Sequence, residues 1–192
     1  MFLHRAVPMR RRKQDATLRF RWPTRAGVSA TSAPGTFFQM RSDYECMTHW
    51  IASSNRDNAR ILDAKHIWGV PGRNKTLMHR VKPGDTILVY VRQEKEGDTT
   101  LPSAITGAYE VVSEPYEDHS RLFVTPPQMG DEVFPYRMKV RPIKVFAEPL
   151  EFKPLIGDLT FITNKTMWSG HLRIAMREIP EEDYQLIMKQ GN

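Results

Sequence analysis

The sequence predicts an α+β protein, a small and partly closed mixed β-barrel flanked by short helices. Several short segments rich in β-branched or aromatic residues are separated by Gly/Pro turns, and only two or three segments have a helical pattern. The chain has 192 residues, 40% of them apolar, which suits one domain with or without a tail. No internal repeat is present and no apolar run is long enough to cross a bilayer, so we expect no membrane partner.

The net charge of +6 is concentrated at the amino terminus. Residues 1–40 contain eight Lys and Arg and a single acid, Asp15, so this segment carries +7 and the rest of the chain −1. Residues 1–39 also lack apolar periodicity, and we expect a disordered basic tail before a domain over 40–192. The tail is a phosphate-contacting arm, an Arg-rich targeting peptide, or the product of a misassigned start codon; the change of composition at Met40 favours the last.

The first elements of the domain are a strand, a helix and a second strand. Residues 44–51 have a strand-like pattern, and Ser54 with Asp57 three residues on fits a capping box. The helix then extends to about Lys65, and 67–70 is the next strand. Three small or apolar residues are available for the inner side of the helix: Ala59, Leu62 and Ala64.

The central elements follow a clear turn. The Lys-Pro-Gly-Asp sequence at 82–85 leads into a β-branched run at 86–91, which predicts a buried strand. Residues 93–102 are charged and predict an exposed hairpin. A further strand is expected over 103–112, where Gly107 allows another backbone to approach closely.

The last elements begin after a long loop over 114–130. Residues 134–140 alternate as a strand does, and 143–147 extends the sheet. Pro180 opens the final helix, which reaches about Met188. Three acids in its first turn are expected to be solvated partners of the helix dipole: Glu181, Glu182 and Asp183.

Familiar catalytic motifs are absent from the sequence. We find no glycine-rich phosphate loop, HExxH, CxxC or GxSxG, and no convincing pair of nucleophile and base. The single cysteine, Cys46, allows neither an internal disulfide nor a multi-cysteine metal site, and it fits a reducing cytoplasm. The sequence thus predicts no enzyme, no cofactor and no metal.

The most informative stretch is 50–71, which holds two of the four tryptophans and a polar Ser-Ser-Asn corner. A Trp face beside Ser hydroxyls and an Asn amide can hold a flat, polar aromatic ligand such as a nucleobase. Taken alone, either Trp50 or Trp68 is more typical of core or rim packing. The functional interpretation therefore depends on the rest of the chain.

Residues 43–188 resemble the EVE domain, a PUA-like domain related to the YTH domain, because several motifs occur in the same order and spacing. The matching segments are 50–55, 68–71, 81–91, 105–113, 134–140, 159–165 and 177–184. The resemblance implies a PUA-like fold and a pocket for a base flipped out of a nucleic-acid strand. YTH domains read N6-methyladenosine in RNA with an aromatic cage, and EVE domains are expected to read modified bases in DNA or RNA.

The YTH pattern Ser-Asn-Asn-x-x-Asn, helix, Gly-Val-Trp-Ser resembles Ser53-Ser54-Asn55-x-x-Asn58, helix, His66-Ile67-Trp68-Gly69 here. By this resemblance Trp68 is the cage floor and Asn55 and Asn58 are polar partners. Gly69 stands where YTH domains have Ser, so one hydrogen bond to the base is missing and its identity stays open. The predicted pocket comprises Ser53, Ser54, Asn55, Asn58, Trp68, Gly69, Val70, Trp50 and Trp168.

A second cage wall and a phosphate site are also expected. Trp168, Phe134 and Tyr109 are candidates for the wall, and we favour Trp168 because 164–170 is a polar loop with one large aromatic. Packing of Trp168 under the last helix is the alternative. Arg173 lies near the position of a phosphate-binding Arg in YTH relatives, and three residues are expected to share that role: Lys165, His171 and Arg177.

The function expected from these features is non-enzymatic binding of a modified base in DNA or RNA. Since the domain is nearly neutral, such binding would use a local patch or pocket. Three alternatives remain open: a binder of a small aromatic metabolite or nucleoside, an accessory assembly protein without nucleic-acid contact, and an unrecognised enzyme acting on a base. The oligomeric state is not indicated. On this hypothesis Trp68→Ala abolishes binding and leaves the fold intact.

Overall fold

The computed structural model describes residues 47–191. The tail predicted over 1–39, the change of composition at Met40 and the residue Cys46 lie outside that range. Within it, none of the helices is long and apolar enough to cross a membrane. Among the same residues, no group of three or more His, Cys, Asp or Glu side chains is placed to hold a metal ion.

The structure confirms the predicted α+β class, as a mixed sheet curled into a half-barrel with a few short helices. The strands are β1 (His49–Ser54), β2 (Ile67–Val70), β3 (Thr86–Val91), β4 (Glu94–Glu96), β5 (Thr99–Leu101), β6 (Ala104–Val111), β7 (Tyr116–Glu117), β8 (Tyr136–Glu151) and β9 (Met176–Ile179). The α-helices are α1 (Arg56–Lys65), α2 (Lys75–Met78) and α3 (Glu181–Gln190). Short 3-10 turns cover Gly72–Asn74, Pro127–Met129, Lys153–Gly157 and Trp168–Leu172.

The main sheet has the order β2-β8-β6-β3-β1-β9, and β7 pairs with β8 at its side. β1 and β3 run parallel, in register from His49 opposite Thr86 to Ser54 opposite Val91. The other neighbours on this path are antiparallel. β4 and β5 form the predicted hairpin as a separate two-stranded sheet. Since β1 is held along its whole length by β3, it begins at His49 and continues to Ser54, beyond the predicted end at 51.

The core lies on both faces of the central strands. Alternate residues of β3 enter two clusters, Ile87 and Val89 on one side and Leu88 and Tyr90 on the other. All six residues of β3 are buried, as a continuous apolar run predicts for a strand covered on both faces. The first cluster also contains Trp68 from β2, which places that strand's tryptophan in the core.

The helix α1 begins one residue later than the capping-box pattern predicts. Asn55, not Ser54, is the N-cap, because its Oδ1 accepts a 2.7 Å hydrogen bond from the amide of Asn58. Ser54 is still in β1, where the ladder to β3 holds it, and Asn caps a helix as well as Ser does. The predicted end of the helix at Lys65 is confirmed. Of the three residues predicted for its inner side, Ala59 and Leu62 are buried and Ala64 is exposed.

The turn before β3 is fastened to β1 by a buried carboxylate. Asp85 accepts hydrogen bonds from the amides of Thr48 and Lys82 and from the indole Nε1 of Trp50, each at 3.0 Å. Gly84 in the same turn has a φ of 95°, a backbone conformation that residues other than Gly rarely adopt. The Lys-Pro-Gly-Asp turn is therefore an anchor for the parallel strand pair as well as a link.

The acids at the start of α3 do not all behave as predicted. Asp183 is buried rather than solvated, and its carboxylate accepts bonds from the amides of Thr160 and Phe161, both at 2.8 Å. The Thr160 hydroxyl donates a third, at 3.0 Å. A carboxylate with three donors is compensated for burial, so Asp183 joins the 159–162 segment to α3.

A single long strand, β8, replaces the two segments predicted over 134–140 and 143–147. Pro142 is tolerated inside it because it faces Tyr109 at an irregularity in the pairing with β6. The close approach predicted at Gly107 is confirmed. A Cβ at that position would lie 2.7 Å from the carbonyl oxygen of Lys144.

We predict that Asp85→Asn lowers the free energy of unfolding by about 2 kcal/mol, because an amide cannot accept all three hydrogen bonds with the strength of a carboxylate. Urea denaturation measures the change. Asp98→Asn, in the exposed β4–β5 turn, is the matched control and should be neutral. Equal stability of the two variants would contradict the anchoring role of Asp85.

Candidate functional site

A cavity opens where β1 ends, α1 begins and β2 passes beneath them. Its polar side is formed by Ser53, Ser54, Asn55 and Asn58, and its floor by Trp68 and Gly69. Two backbone hydrogen bonds fix the end of β1 here. The Ser53 amide donates to Ala175 O at 2.8 Å, and the Arg92 amide donates to Ser54 O at 3.1 Å. Three stretches of chain distant in sequence therefore meet at the corner that the sequence singled out.

The two asparagines at this corner have different roles. Both amide atoms of Asn58 are engaged by one residue: Nδ2 donates to Val124 O at 2.9 Å, and Oδ1 accepts from the Val124 amide at 2.7 Å. Asn58 is thus a clamp on the long loop. Asn55 uses its Oδ1 as the helix cap, while its Nδ2 makes no hydrogen bond to residues 47–191. Of the pair, Asn55 is the one with a donor still available to a ligand.

Aromatic residues form the rest of the wall. Trp68 is only 3% exposed, and its Nε1 donates to the Met176 sulfur at 3.0 Å. Phe123 and Phe134 come from the long loop and its end, with ring centroids 5.6 Å apart. Phe134 was a predicted candidate for the second wall and lies at the cavity; Phe123 was not predicted.

The position of the Phe123 ring explains why residue 69 is a glycine. A Cβ at Gly69 would lie 2.4 Å from Cε2 of the Phe123 ring, which is far inside van der Waals contact. The ring therefore occupies the space that a side chain at 69 would need. Beside Gly69 the cavity therefore has an aromatic edge.

The loop that carries both phenylalanines is held by Arg137, whose side chain is 1% exposed. Its guanidinium lies 5.5 Å from the Phe123 ring centroid and donates to Phe134 O at 3.0 Å, to Asp118 at 2.6 Å and to the Ser120 hydroxyl at 2.8 Å. Hydrogen bonds from the amide and hydroxyl of Ser120, and then the charge of Arg137, lower the pKa of the Asp118 carboxyl. Asp118 therefore stays ionised as the partner of a buried cation.

Three arginines surround the cavity: Arg73, Arg92 and Arg173. All three are exposed, and their side chains make no hydrogen bond or ion pair to the described part of the chain. No Asp or Glu is found among the described lining residues. A cavity mouth with cations and no compensating acid attracts anions.

Some residues predicted for the pocket lie elsewhere. Trp50 is 1% exposed, bonded to Asp85 and covered by the guanidinium of Arg80 at 5.7 Å. Val70 is fully buried in the core, and Tyr109 is buried with its hydroxyl 3.2 Å from Asp63. Trp168 lies in a neighbouring groove. Trp50 and Val70 belong to the strands next to the cavity, but their side chains are packed in the core.

Of the four predicted phosphate-binding residues, the structure places only Arg173 at the cavity. Lys165 donates from Nζ to the carbonyl oxygens of Ile156 and Leu159. Arg177 lies 3.0 Å from Nδ1 of His171 and over the ring of Phe161. These contacts make Lys165, His171 and Arg177 supports of the local chain, and none of the three lines the cavity. A phosphate contact by these residues stays a prediction.

Sequence reasoning missed Phe123, Arg73 and Arg92. A signal existed for the first, because loops longer than about 12–15 residues inside a compact domain are usually functional and Phe123 is an aromatic within one. Arg92 directly follows a predicted buried strand, at an end where ligands often bind. Nothing in the local sequence distinguishes Arg73 from a solvated surface arginine.

The fold and the cavity together define a mixed-sheet domain in which a polar and aromatic recess has a basic mouth. The EVE domain family model matches residues 48–190, so the chain belongs to the EVE domain family. A UPF0310 protein of Pyrococcus horikoshii is 51% identical over 145 residues, which cover 74% of this chain and 98% of that protein.

Solved structures with similar folds are more distant in sequence. A hypothetical protein from Leishmania major has a TM-score of 0.53 and 18% identity, covering 77% of this chain and 96% of that one. Human THYN1, solved in complex with DNA containing 5-methylcytosine, has a TM-score of 0.49 and 15% identity, covering 74% and 96%.

We predict that Gly69→Ala costs about 1–3 kcal/mol of folding free energy and displaces the Phe123 ring, because the new methyl group overlaps it. Urea denaturation measures the cost. Gly157→Ala is the control, since a Cβ there meets nothing within 4 Å. An unchanged Gly69→Ala protein would mean that Phe123 does not close the cavity.

Proposed function

We propose that this chain binds a modified base, carried in a DNA or RNA strand, in the cavity between β1, α1 and β2, and that it does so without chemical change to the base. The observation that carries the proposal is a recess with aromatic walls and a polar edge, opening among three exposed arginines with no acid in its described lining. Membership of the EVE family supports it, since the resemblance implies base recognition.

The aromatic walls suit a flat heterocycle. Phe123 and Phe134 reach the cavity from one side, and the buried Trp68 supplies part of the floor. Stacking of a base on an aromatic side chain contributes about 1–3 kcal/mol. Because Arg137 and Asn58 hold the loop in place, little ordering of the walls remains to be done on binding.

The polar edge suits recognition of a base rather than of a hydrocarbon ring. Nδ2 of Asn55 is a donor without a partner among residues 47–191, and the Ser53 side chain lines the same edge. The aromatic edge at Gly69 favours an apolar substituent such as a methyl group, whose burial contributes about 0.8 kcal/mol. Discrimination from the plain base is therefore expected to be modest unless the walls fit tightly.

The basic mouth distinguishes a strand from a free nucleoside. Arg73, Arg92 and Arg173 line the cavity with exposed side chains, and we expect them to meet the phosphates that flank an inserted base. A strand held in this way loses affinity as salt rises, with a slope of about −0.7 per phosphate contact on a single strand. A binder of a small aromatic metabolite would use the same recess with little dependence on salt.

The direct test is a titration of the full chain with single-stranded DNA and RNA oligomers, each carrying one modified base, beside their plain counterparts. Tryptophan fluorescence reports binding, because Trp68 lies at the floor. We expect one modified oligomer to bind more tightly than its plain form. Equal response to every pair, from protein shown to be folded by circular dichroism, would contradict the proposal.

We predict that Arg92→Gln with Arg173→Gln weakens binding of the preferred oligomer at least tenfold at low salt and reduces the salt slope by about 1.4, the value for two lost phosphate contacts. Affinity measured at several salt concentrations shows both effects. Arg60→Gln, on the exposed face of α1 and paired with Asp57, is the control and should change neither. A double variant with the wild-type slope would remove these arginines from the strand-binding role.

Phe123→Leu should lower the affinity for the modified base at least fivefold, because it removes a stacking surface and keeps most of the apolar volume. Phe146→Leu, in the other core cluster, serves as the control. Equal affinity of Phe123→Leu, Phe146→Leu and wild type would place the base elsewhere.

Trp68→Ala is a poor test of base binding. Because Trp68 is buried, the truncation is expected to cost about 3–5 kcal/mol of stability, contrary to the expectation that the fold stays intact.

A further inference from the structure

We propose that the open groove beside the base cavity is a subsite for the neighbouring nucleotide of the same strand, with Trp168 as its stacking surface. The groove is formed by Tyr90, Gln93, Trp168 and Leu172, with Arg92 and Arg173 along its border. The inference rests on the proposed function, since it requires a strand whose modified base occupies the cavity. It adds a second contact that the cavity itself does not provide.

The two hollows share their boundary. Arg92, directly after β3, and Arg173, directly after the Trp168–Leu172 turn, line both the cavity and the groove. Both arginines therefore border both spaces, and their side chains form no ion pair with an acid among residues 47–191. A phosphodiester that links two adjacent nucleotides has this arrangement: a base on each side and an anion between them. Arginine suits the anion because its fork can donate two hydrogen bonds to one phosphate.

Trp168 has the support that a stacking surface needs. It is half-buried, and its ring centroid lies 5.8 Å from that of Phe152, which is fully buried. Phe152 also packs edge-on against Tyr90 at 4.8 Å. One side of the indole thus rests on the core while the rest faces the groove. Its Nε1 makes no hydrogen bond to the described residues, so the donor remains for a ligand or water.

The chemistry of the groove favours stacking without base selection. Among the described residues that line it there is no Asp or Glu. Burial raises the pKa of the Tyr90 phenol, so this side chain stays neutral and adds no negative charge at physiological pH. Stacking on an indole accepts every base, because each has a π-face. We therefore expect the cavity to select the modified base and the groove to strengthen binding of any neighbour.

The test compares ligands that differ only in the flanking nucleotide. The probes are 5-methyl-2′-deoxycytidine and N6-methyladenosine, each as the 5′-monophosphate, as a trinucleotide with thymidine or uridine on both sides, and as the same trinucleotide with abasic flanks. Affinities are measured by fluorescence anisotropy competition with the full chain, in wild type, Trp168→Ala and Trp168→Phe. Met167→Ala, the exposed neighbour in sequence, is the matched control.

For the probe that binds, we expect the trinucleotide with normal flanks to bind wild type at least fivefold more tightly than the one with abasic flanks. Trp168→Ala should erase that difference while the monophosphate affinity stays within twofold. Trp168→Phe should restore most of the difference, because a ring is kept. Met167→Ala should behave as wild type.

Four results would overturn the subsite. If Trp168→Ala keeps the full gain from the flanking bases, the groove is not their site, although base binding in the cavity stands. If Trp168→Ala loses the monophosphate as well, Trp168 belongs to the base cavity itself. If normal and abasic flanks bind wild type equally, phosphates act alone. If no probe binds folded wild-type protein, base binding and the subsite fail together.

Discussion

The parallel pairing of β1 with β3 is the constraint on which the rest of this structure depends. Both strands end at the same edge of the sheet, where Ser54, the last residue of β1, accepts a backbone hydrogen bond from Arg92, the residue directly after β3. The pair is fastened at its other end by the Asp85 carboxylate. Since β3 is buried on both faces, a shift in its register would disturb both core clusters at once. The polar corner of the cavity is therefore attached directly to the buried strand pair.

The second requirement is the attachment of the long loop to the rest of the domain. Residues 118–134 contribute Phe123 and Phe134 to the cavity, and they are held by hydrogen bonds to Asn58 and Arg137. Burial of a guanidinium is costly unless its donors are satisfied, and here Asp118, Ser120 and backbone carbonyls satisfy them. Polar contacts thus hold the loop against Asn58 of α1 and Arg137 of β8. Because Gly69 has no side chain, the Phe123 ring of this loop has room to pack against it.

Much of the fold was predictable from local patterns. The buried strand β3, the helix α1, the exposed hairpin β4–β5 and the close approach at Gly107 all follow from β-branched runs, turn residues and spacing. The errors have physical causes. Asp183 was expected to be solvated, but three donors from the 160–161 segment compensate its burial. Pro142 suggested a break, but an irregularity in the ladder accommodates it.

For the site, the sequence indicated the corner at 53–58 and the aromatic at 68, through the polar Ser-Ser-Asn run beside two tryptophans and through the resemblance to the YTH pattern. It also indicated Arg173 as a cation near the site. Which tryptophan faces a cavity, which asparagine keeps a donor and which loop supplies the second wall were decided only by the tertiary structure. Those properties arise from contacts such as Asn58 with Val124, 66 residues apart, and local patterns carry no information about contacts at that separation.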